Sequence, residues 1–180
     1  ATAWAAAHAR ELGGSPDALV VMGDSAGGNL AATVALAARE RGPRLAAQAL
    51  LYPATDLTLS APSLRTTPAG ALLTTEDVHA YAANYLGASG LDPKDPRVSP
   101  LWAPDLTGLP PAVVVTAADD PIRDDGRRYA QRLREAGVPV RAREYDDLPH
   151  GFLNAPLLCR GAGRAVDDLV SELRELLRAR

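Results

Sequence analysis

Cysteine, lysine and long apolar runs are scarce or absent in this sequence, and each absence excludes classes of protein. A single cysteine, Cys159, excludes a disulfide framework and any paired-cysteine metal or redox site. Lys94 is the only lysine and the net charge is −3 with no basic run, so we expect no nucleic-acid partner. The sequence shows neither a signal peptide nor an apolar run long enough to cross a bilayer. We therefore expect no membrane partner and a cytoplasmic location.

Motifs for metals and phosphates are also missing. The three histidines, His8, His79 and His150, are scattered, and no H-E-x-x-H pair occurs, so we expect no metal. Neither a Walker-type loop nor a G-x-G-x-x-G sequence occurs. The sequence therefore contains no recognisable phosphate-binding loop.

The 180 residues, 47% hydrophobic and 23% charged, are enough for one globular domain with a sizeable core. Apolar runs of strand length alternate with stretches of helical spacing. The predicted strands are 18–22, 46–52, 111–117 and 138–145. The predicted helices are 2–12, one ending at Gly42, one ending at Gly87, 124–136 and 163–179. This alternation predicts an α/β fold, in which a mostly parallel sheet of about four strands carries helices on both faces.

One stretch, 54–110, is irregular, rich in proline and too long for a plain connection. Thr74 or Thr75 is the predicted N-cap of the helix within it, and Gly87 ends that helix. A lid that shapes a substrate site and a structural flap that covers the sheet both fit this pattern. The sequence leaves these two alternatives open.

Strand 18–22 leads into Gly-Asp-Ser-Ala-Gly at 23–27, and an Ala-rich helix follows. Gly-x-Ser-x-Gly between a strand and a helix is typical of a nucleophile elbow, a sharp turn that lifts a serine clear of the sheet. Because this turn is strained and crowded, we expect Gly23 and Gly27 to be needed for space. The helix directs unpaired N–H groups toward Ser25, and the N–H of Ala26 can donate to an oxyanion.

Sites in open parallel sheets lie at the carboxyl ends of strands, so the residues just past each predicted strand are candidates. Ser25 follows the first strand, Asp119 and Asp120 follow the third, and His150 follows the fourth. We predict that Ser25 is a nucleophile and His150 its general base. An aspartate would orient the imidazole and stabilise its charged form.

Four acidic pairs compete for that third role. The pair at 146–147 is too near His150 in sequence to reach its far nitrogen easily, and the pair at 167–168 fits a solvated helix face. The pair at 124–125 lies where acids favour a helix N-terminus. The remaining pair is Asp119 and Asp120. Pro121 biases the residue before it toward extended backbone, so Asp120 is the predicted acid.

Three motifs in this order resemble the hormone-sensitive-lipase-like esterases of the α/β-hydrolase fold, the bacterial family IV carboxylesterases. Residues 23–29 (GDSAGGN) are similar to the family's nucleophile motif, 120–126 (DPIRDDG) to its acid motif, and 150–152 (HGF) to its histidine motif. The segment 95–100 (DPRVSP) resembles its return from the flap. The resemblance implies a carboxylic ester hydrolase that acts through an acyl-enzyme on Ser25, on esters of short to medium acyl chains, and that needs no cofactor.

Two other functions stay open beside that implied activity. An amidase or peptidase of the same fold would use the same residues. A small-molecule binding module is also built on this fold, although the presence of His150 favours an enzyme.

The family's H-G-G-G segment, which completes the oxyanion hole, does not occur in the sequence. The resemblance therefore implies that 1–180 is a catalytic domain truncated at its N-terminus. We expect the partner to be the missing N-terminal half of the fold, or a second copy that associates through the exposed edge of strand 18–22. An inactive fragment is the remaining alternative.

Overall fold

Four parallel strands form one sheet whose order in space follows the order in sequence, which confirms the predicted fold class. The computed structural model describes residues 1–68, 70–154 and 160–178. The strands are β1 Val20–Asp24, β2 Ala47–Leu51, β3 Ala112–Asp119 and β4 Val140–Pro149. The predicted strand 18–22 starts too early, because Ser15 caps a 3-10 turn over Pro16–Ala18 before the chain extends.

Five helices occur within the described residues: α1 Thr2–Ala7, α2 Ala26–Arg41, α3 Thr75–Leu86, α4 Arg123–Glu135 and α5 Arg160–Arg178. None of them is both long and apolar enough to cross a membrane. The predicted helix 2–12 is wrong in its second half, since turns replace the helix after Ala7. Two large apolar side chains of this segment are exposed, Trp4 by 58% and Leu12 by 64%. Cys159 and residue 179 lie outside the described residues.

Helices cover both faces of the sheet, as predicted. α2 and α4 pack on the face that carries Leu50 and Val114. α5 packs on the opposite face, against Leu51 and Val113. Because successive strand residues point to opposite faces, a central strand covered on both faces is buried throughout, and β2 is buried along its whole length. Its one polar side chain, Gln48, donates through Nε2 to the Pro110 carbonyl at 3.0 Å. β4 lies at one edge of the sheet, which explains its alternating pattern.

β1 forms the other edge of the sheet and is less buried than a strand covered on both faces. Val21 packs toward the α2 face, whereas Met22 points to the opposite face and is 57% exposed. Within the described ranges no strand pairs with the outer side of β1. An apolar edge strand presents unpaired N–H and C=O groups to another chain.

Between β2 and β3 the chain leaves the sheet, and α3 lies in this excursion. Thr74, not Thr75, caps α3 and forms a capping box with Asp77. Asn29, in the first turns of α2, donates through Nδ2 to the Ala54 carbonyl at 2.6 Å and to the Val98 carbonyl at 2.7 Å. One buried amide therefore holds both the start of the excursion and its return.

Two buried carboxylates join the same excursion to α4. The Asp125 carboxylate accepts the N–H groups of Thr55 and Asp56, both at 3.0 Å. The Asp56 carboxylate accepts from Trp102 Nε1 at 2.7 Å and from the Arg128 guanidinium at 3.2 Å. The favourable effect of a negative charge at a helix N-terminus therefore explains only in part why residue 125 is an aspartate. Its partners are about 70 residues away in the chain.

The two carboxyl groups have opposite pKa shifts. Burial, followed by the negative charge of Asp56, raises the pKa of Asp125 well above its ordinary 3.8. Burial also acts to raise the pKa of Asp56, but hydrogen bonds from Ser60, Thr58 and Trp102 outweigh it and lower that pKa. Asp56 is therefore the member of the pair that carries the charge facing Arg128.

We predict that Asp125→Ala lowers the free energy of unfolding by about 2 kcal/mol or more, because two buried N–H groups lose their acceptor. Asp125→Asn keeps an acceptor oxygen and cannot ionise. It should stay within about 1 kcal/mol of the wild type at neutral pH. Urea unfolding of the three proteins measures the difference.

The difference in stability between Asp125→Asn and the wild type should change with pH in a definite direction. Because the folded pKa of Asp125 is raised, its stabilising contribution is complete below the ordinary value of 3.8 and is lost as the pH rises through the folded pKa. The stability of Asp125→Asn relative to the wild type should therefore improve from acidic to neutral pH. Equal losses for Asn and Ala, independent of pH, would contradict the raised pKa and the acceptor role of this carboxyl.

Candidate active site

The turn between β1 and α2 holds Ser25 in a backbone conformation that few residues adopt, with φ 55° and ψ −118°. Its N–H donates to the Leu51 carbonyl at 2.8 Å, which fixes the turn to the end of β2. A non-glycine residue with positive φ stores backbone strain. The predicted strained turn is confirmed, and it raises Ser25 at the carboxyl edge of the sheet.

Two glycines provide the space for this turn. A Cβ on Gly23 would lie 2.1 Å from the Gly27 carbonyl oxygen, and a Cβ on Gly28 would lie 2.8 Å from Pro53 Cβ. Both distances exclude a side chain. The expectation that Gly27 is needed for space is wrong, because a Cβ there would meet the Asp24 carboxylate at an ordinary 3.9 Å. The second close approach belongs to Gly28, where α2 passes close to the chain just beyond β2.

His150 lies between the two other predicted site residues and contacts both. The Ser25 hydroxyl is 2.9 Å from Nε2, and the Asp120 carboxylate is 2.7 Å from Nδ1. With a carboxylate at Nδ1, that nitrogen carries the proton and donates it, and Nε2 is left to accept from the hydroxyl. The parallel strands explain the meeting, since they bring the residues after β1, β3 and β4 to one edge of the sheet.

Asp120 is fully buried, and both of its carboxylate oxygens are used. One accepts from His150, and the other accepts the Ile122 N–H at 2.8 Å. Asp119, the other member of the pair, is the last residue of β3 and is exposed. Among the acidic residues that competed for the role, Asp120 is the one that the structure places on the imidazole.

Tyr52 is part of the site, although in the sequence it only ends a predicted strand. Its ring centroid lies 4.8 Å from that of His150 and 5.2 Å from that of Phe152. The residue is fully buried and has a positive φ of 36°. Burial, then the charge of Asp24, raises the pKa of the Tyr52 hydroxyl, so the ring faces the imidazole as a neutral phenol. It limits the positions that the imidazole can adopt.

The other two histidines stay away from this site. His8 stacks on Trp4 with ring centroids 4.4 Å apart, and His79 is exposed on α3. Within the described ranges no group of three His, Cys, Asp or Glu side chains could hold a metal ion. Ala26, the predicted oxyanion donor, is the first residue of α2 and lines a cavity of about 140 Å³ beside Ser25.

The fold and these contacts define a class of protein. The family profile described as alpha/beta hydrolase fold matches residues 1–154. The chain belongs to this family, in its hormone-sensitive-lipase-like branch. Over 86 residues, 47% of this chain and 11% of the other, it is 46% identical to the hormone-sensitive lipase of Ictidomys tridecemlineatus.

Bacterial relatives match nearly the whole chain. It is 45% identical over 177 residues to the carboxylic ester hydrolase LipN of Mycobacterium tuberculosis, covering 95% of this chain and 47% of LipN. A thermostable esterase from Pseudomonas putida has a similar solved structure, with a TM-score of 0.89 at 38% identity over 98% of this chain and 56% of that one. The chain thus spans about half the length of the carboxylesterases it matches.

We predict that a fluorophosphonate probe labels Ser25, because His150 can accept the hydroxyl proton as the bond to phosphorus forms. Ser25→Ala should abolish the labelling. Ser171→Ala, which removes an exposed hydroxyl on α5, should leave it unchanged. Gel fluorescence and mass spectrometry of the labelled peptide provide the measurement, and labelling that survives Ser25→Ala would place the reactive group elsewhere.

Proposed function

We propose that the chain is a carboxylic ester hydrolase that works through an acyl-enzyme on Ser25, with Asp120 and His150 as the other members of a catalytic triad. The observation that carries the proposal is the position of His150, 2.9 Å from the Ser25 hydroxyl and 2.7 Å from the Asp120 carboxylate. A serine hydroxyl is a weak nucleophile unless a positioned base accepts its proton. The relatives named carboxylic ester hydrolase and carboxylesterase support an ester as the substrate.

The reaction divides into two similar halves. His150 Nε2 takes the proton of Ser25 while Oγ attacks the ester carbonyl, and Asp120 stabilises the resulting imidazolium. When the tetrahedral intermediate collapses, its bond to the alkoxy oxygen breaks, and the alcohol leaves with the proton from Nε2. Water then attacks the acyl-enzyme by the same route, which releases the carboxylic acid and restores the Ser25 hydroxyl.

Ala26 supports the negative oxygen of the intermediate through its backbone. Its N–H lies in the first turn of α2, where donors have no partner inside the helix and where the helix dipole favours negative charge. One donor makes an incomplete oxyanion hole, because each donor contributes about 10²–10³ in turnover. In the resembling family the other donors belong to an H-G-G-G segment, which these 180 residues do not contain.

The outer edge of β1 is the surface on which we propose that a partner binds. β1 has a free outer side within the described ranges, and exposed apolar side chains occur on it and on the turns before it, at Met22 and Leu12. A further segment of the fold would pair with this edge and cover these side chains. A second copy of the chain would use the same edge when that segment is absent.

We predict that Asp120→Asn lowers turnover of p-nitrophenyl butyrate by about 10⁴, because the amide presents its own N–H and favours the wrong imidazole tautomer. Asp119→Asn makes the same chemical change at an exposed neighbour and should have a much smaller effect. Steady-state kinetics of the two variants give the comparison. If Asp119→Asn costs more than Asp120→Asn, the acid has been assigned to the wrong residue.

We predict that the 180-residue chain alone self-associates and that Met22→Lys reduces this association. A charge on the exposed side of an edge strand disfavours pairing with another chain. Val170→Lys, at a partly exposed apolar position on α5, is the matched control and should change nothing. Sedimentation velocity across a concentration series measures the association. A monomeric wild type, or equal effects of the two lysines, would refute the proposed interface.

A further inference from the structure

The turn between β3 and α4 carries Asp120, and one peptide group of this turn holds the carboxylate. That peptide joins Pro121 to Ile122, and its N–H donates to one carboxylate oxygen of Asp120 at 2.8 Å. The other carboxylate oxygen lies 2.7 Å from His150 Nδ1. The direction of a single backbone N–H therefore contributes to how the carboxylate is presented to the imidazole.

The opposite end of the same peptide is held by Ser63. The Ser63 hydroxyl donates to the Pro121 carbonyl at 2.7 Å. A trans peptide is planar, so its C=O and its N–H point in opposite directions and rotate together. A rotation that breaks the contact with Ser63 therefore also turns the Ile122 N–H away from Asp120.

Ser63 is itself fixed firmly enough to act as an anchor. It is 1% exposed and lies in a short 3-10 helix, Pro62–Arg65, in the excursion between β2 and β3. Its hydroxyl also accepts the Asp124 N–H at 3.2 Å, and its own N–H donates to the Asp124 carboxylate at 2.9 Å. Thr67 Oγ1 donates to the Ser63 carbonyl at 2.8 Å. The anchor is therefore tied both to its own segment and to the start of α4.

We propose that Ser63 is a positioning residue for Asp120 and acts through the peptide between Pro121 and Ile122. This role rests on the proposed esterase function and adds a residue to the support of its proton transfer. Ser63 is not among the described residues that line the cavity beside Ser25. Its removal should therefore affect turnover and not substrate binding.

The burial of Asp120 makes this support important. A buried carboxylate oxygen that loses its donor is left desolvated, so the side chain no longer has one favoured position. A misplacement of about 1 Å that is caused away from the reacting atoms can cost about 10² in rate. Loss of the Ser63 hydroxyl leaves Asp120 and His150 chemically intact. We therefore expect a smaller loss than that of Asp120→Asn, which changes the carboxylate itself.

Ser63→Ala and Ser99→Ala, compared in steady-state hydrolysis of p-nitrophenyl butyrate, test this role. Ser99 is a second buried serine of the excursion, and its Oγ accepts the Leu57 N–H at 2.7 Å. Ser63→Ala should lower kcat by about 10–100-fold and leave KM unchanged, because its effect arises in the transition state. Ser99→Ala should leave kcat unchanged. Equal kcat values in the two variants, or a change confined to KM, would overturn the proposal.

Urea unfolding separates positioning from a general loss of stability. Each alanine variant loses one buried hydroxyl, so the two unfolding midpoints should fall by similar amounts although only one kcat falls. Ser63→Cys keeps the test decisive if Ser63→Ala does not fold. A thiol is a weaker donor than a hydroxyl, so kcat of Ser63→Cys should lie below that of the wild type and above that of any folded Ser63→Ala. A kcat equal to that of the wild type would contradict the role of the donor.

A measurement without substrate distinguishes this role from the proposed activity. The proton that His150 Nδ1 donates to Asp120 lies in a short, charge-assisted hydrogen bond and should resonate far downfield of the amide protons in proton NMR. Ser63→Ala should shift this resonance, and Ser99→Ala should not. An unshifted resonance in Ser63→Ala would refute the positioning role even if the chain is an esterase. A shifted resonance in a chain that hydrolyses no ester would refute the esterase and keep Ser63 as the anchor of the carboxylate.

Discussion

The strained backbone at Ser25 is the constraint on which the rest of this structure depends. A serine with φ 55° is unfavourable by itself, so its surroundings must hold it there. The Leu51 carbonyl accepts its N–H, and α2 passes so close to Pro53 that Gly28 has no room for a side chain. The same close packing joins the ends of β1 and β2, and the register of the parallel sheet then places His150 beside the hydroxyl.

The excursion between β2 and β3 is held by polar contacts more than by its own core. Its apolar cluster is small, and it is fixed through Asn29 at the start of α2 and through Asp125 at the start of α4. Buried hydrogen bonds of this kind are costly to break, because each lost partner leaves a desolvated group. These buried contacts therefore fix both ends of the excursion where it passes Ser25.

Much of the site could be predicted from sequence, because a parallel sheet makes chain order informative. Ser25, Asp120 and His150 each follow a strand, and the strands were recognisable from apolar runs. Asn29 and Asp125 lie within two of the motifs, but their hydrogen-bond partners could not be predicted, since these are up to about 70 residues away in the chain. The crowding at Gly28 was missed for the same reason, because its neighbour Pro53 is distant in the chain.

Asp120 and the cavity beside Ser25 share one support. Asp120 lies in the turn before α4, and Ser63 of the excursion donates to the Pro121 carbonyl at 2.7 Å and accepts the Asp124 N–H. Asp125, one residue further on, holds the backbone just after Ala54, which lines the cavity. A shift of the excursion therefore reaches Asp120 through α4, and a shift of α4 reaches the cavity. These buried contacts therefore link the position of Asp120 to that of the cavity beside Ser25.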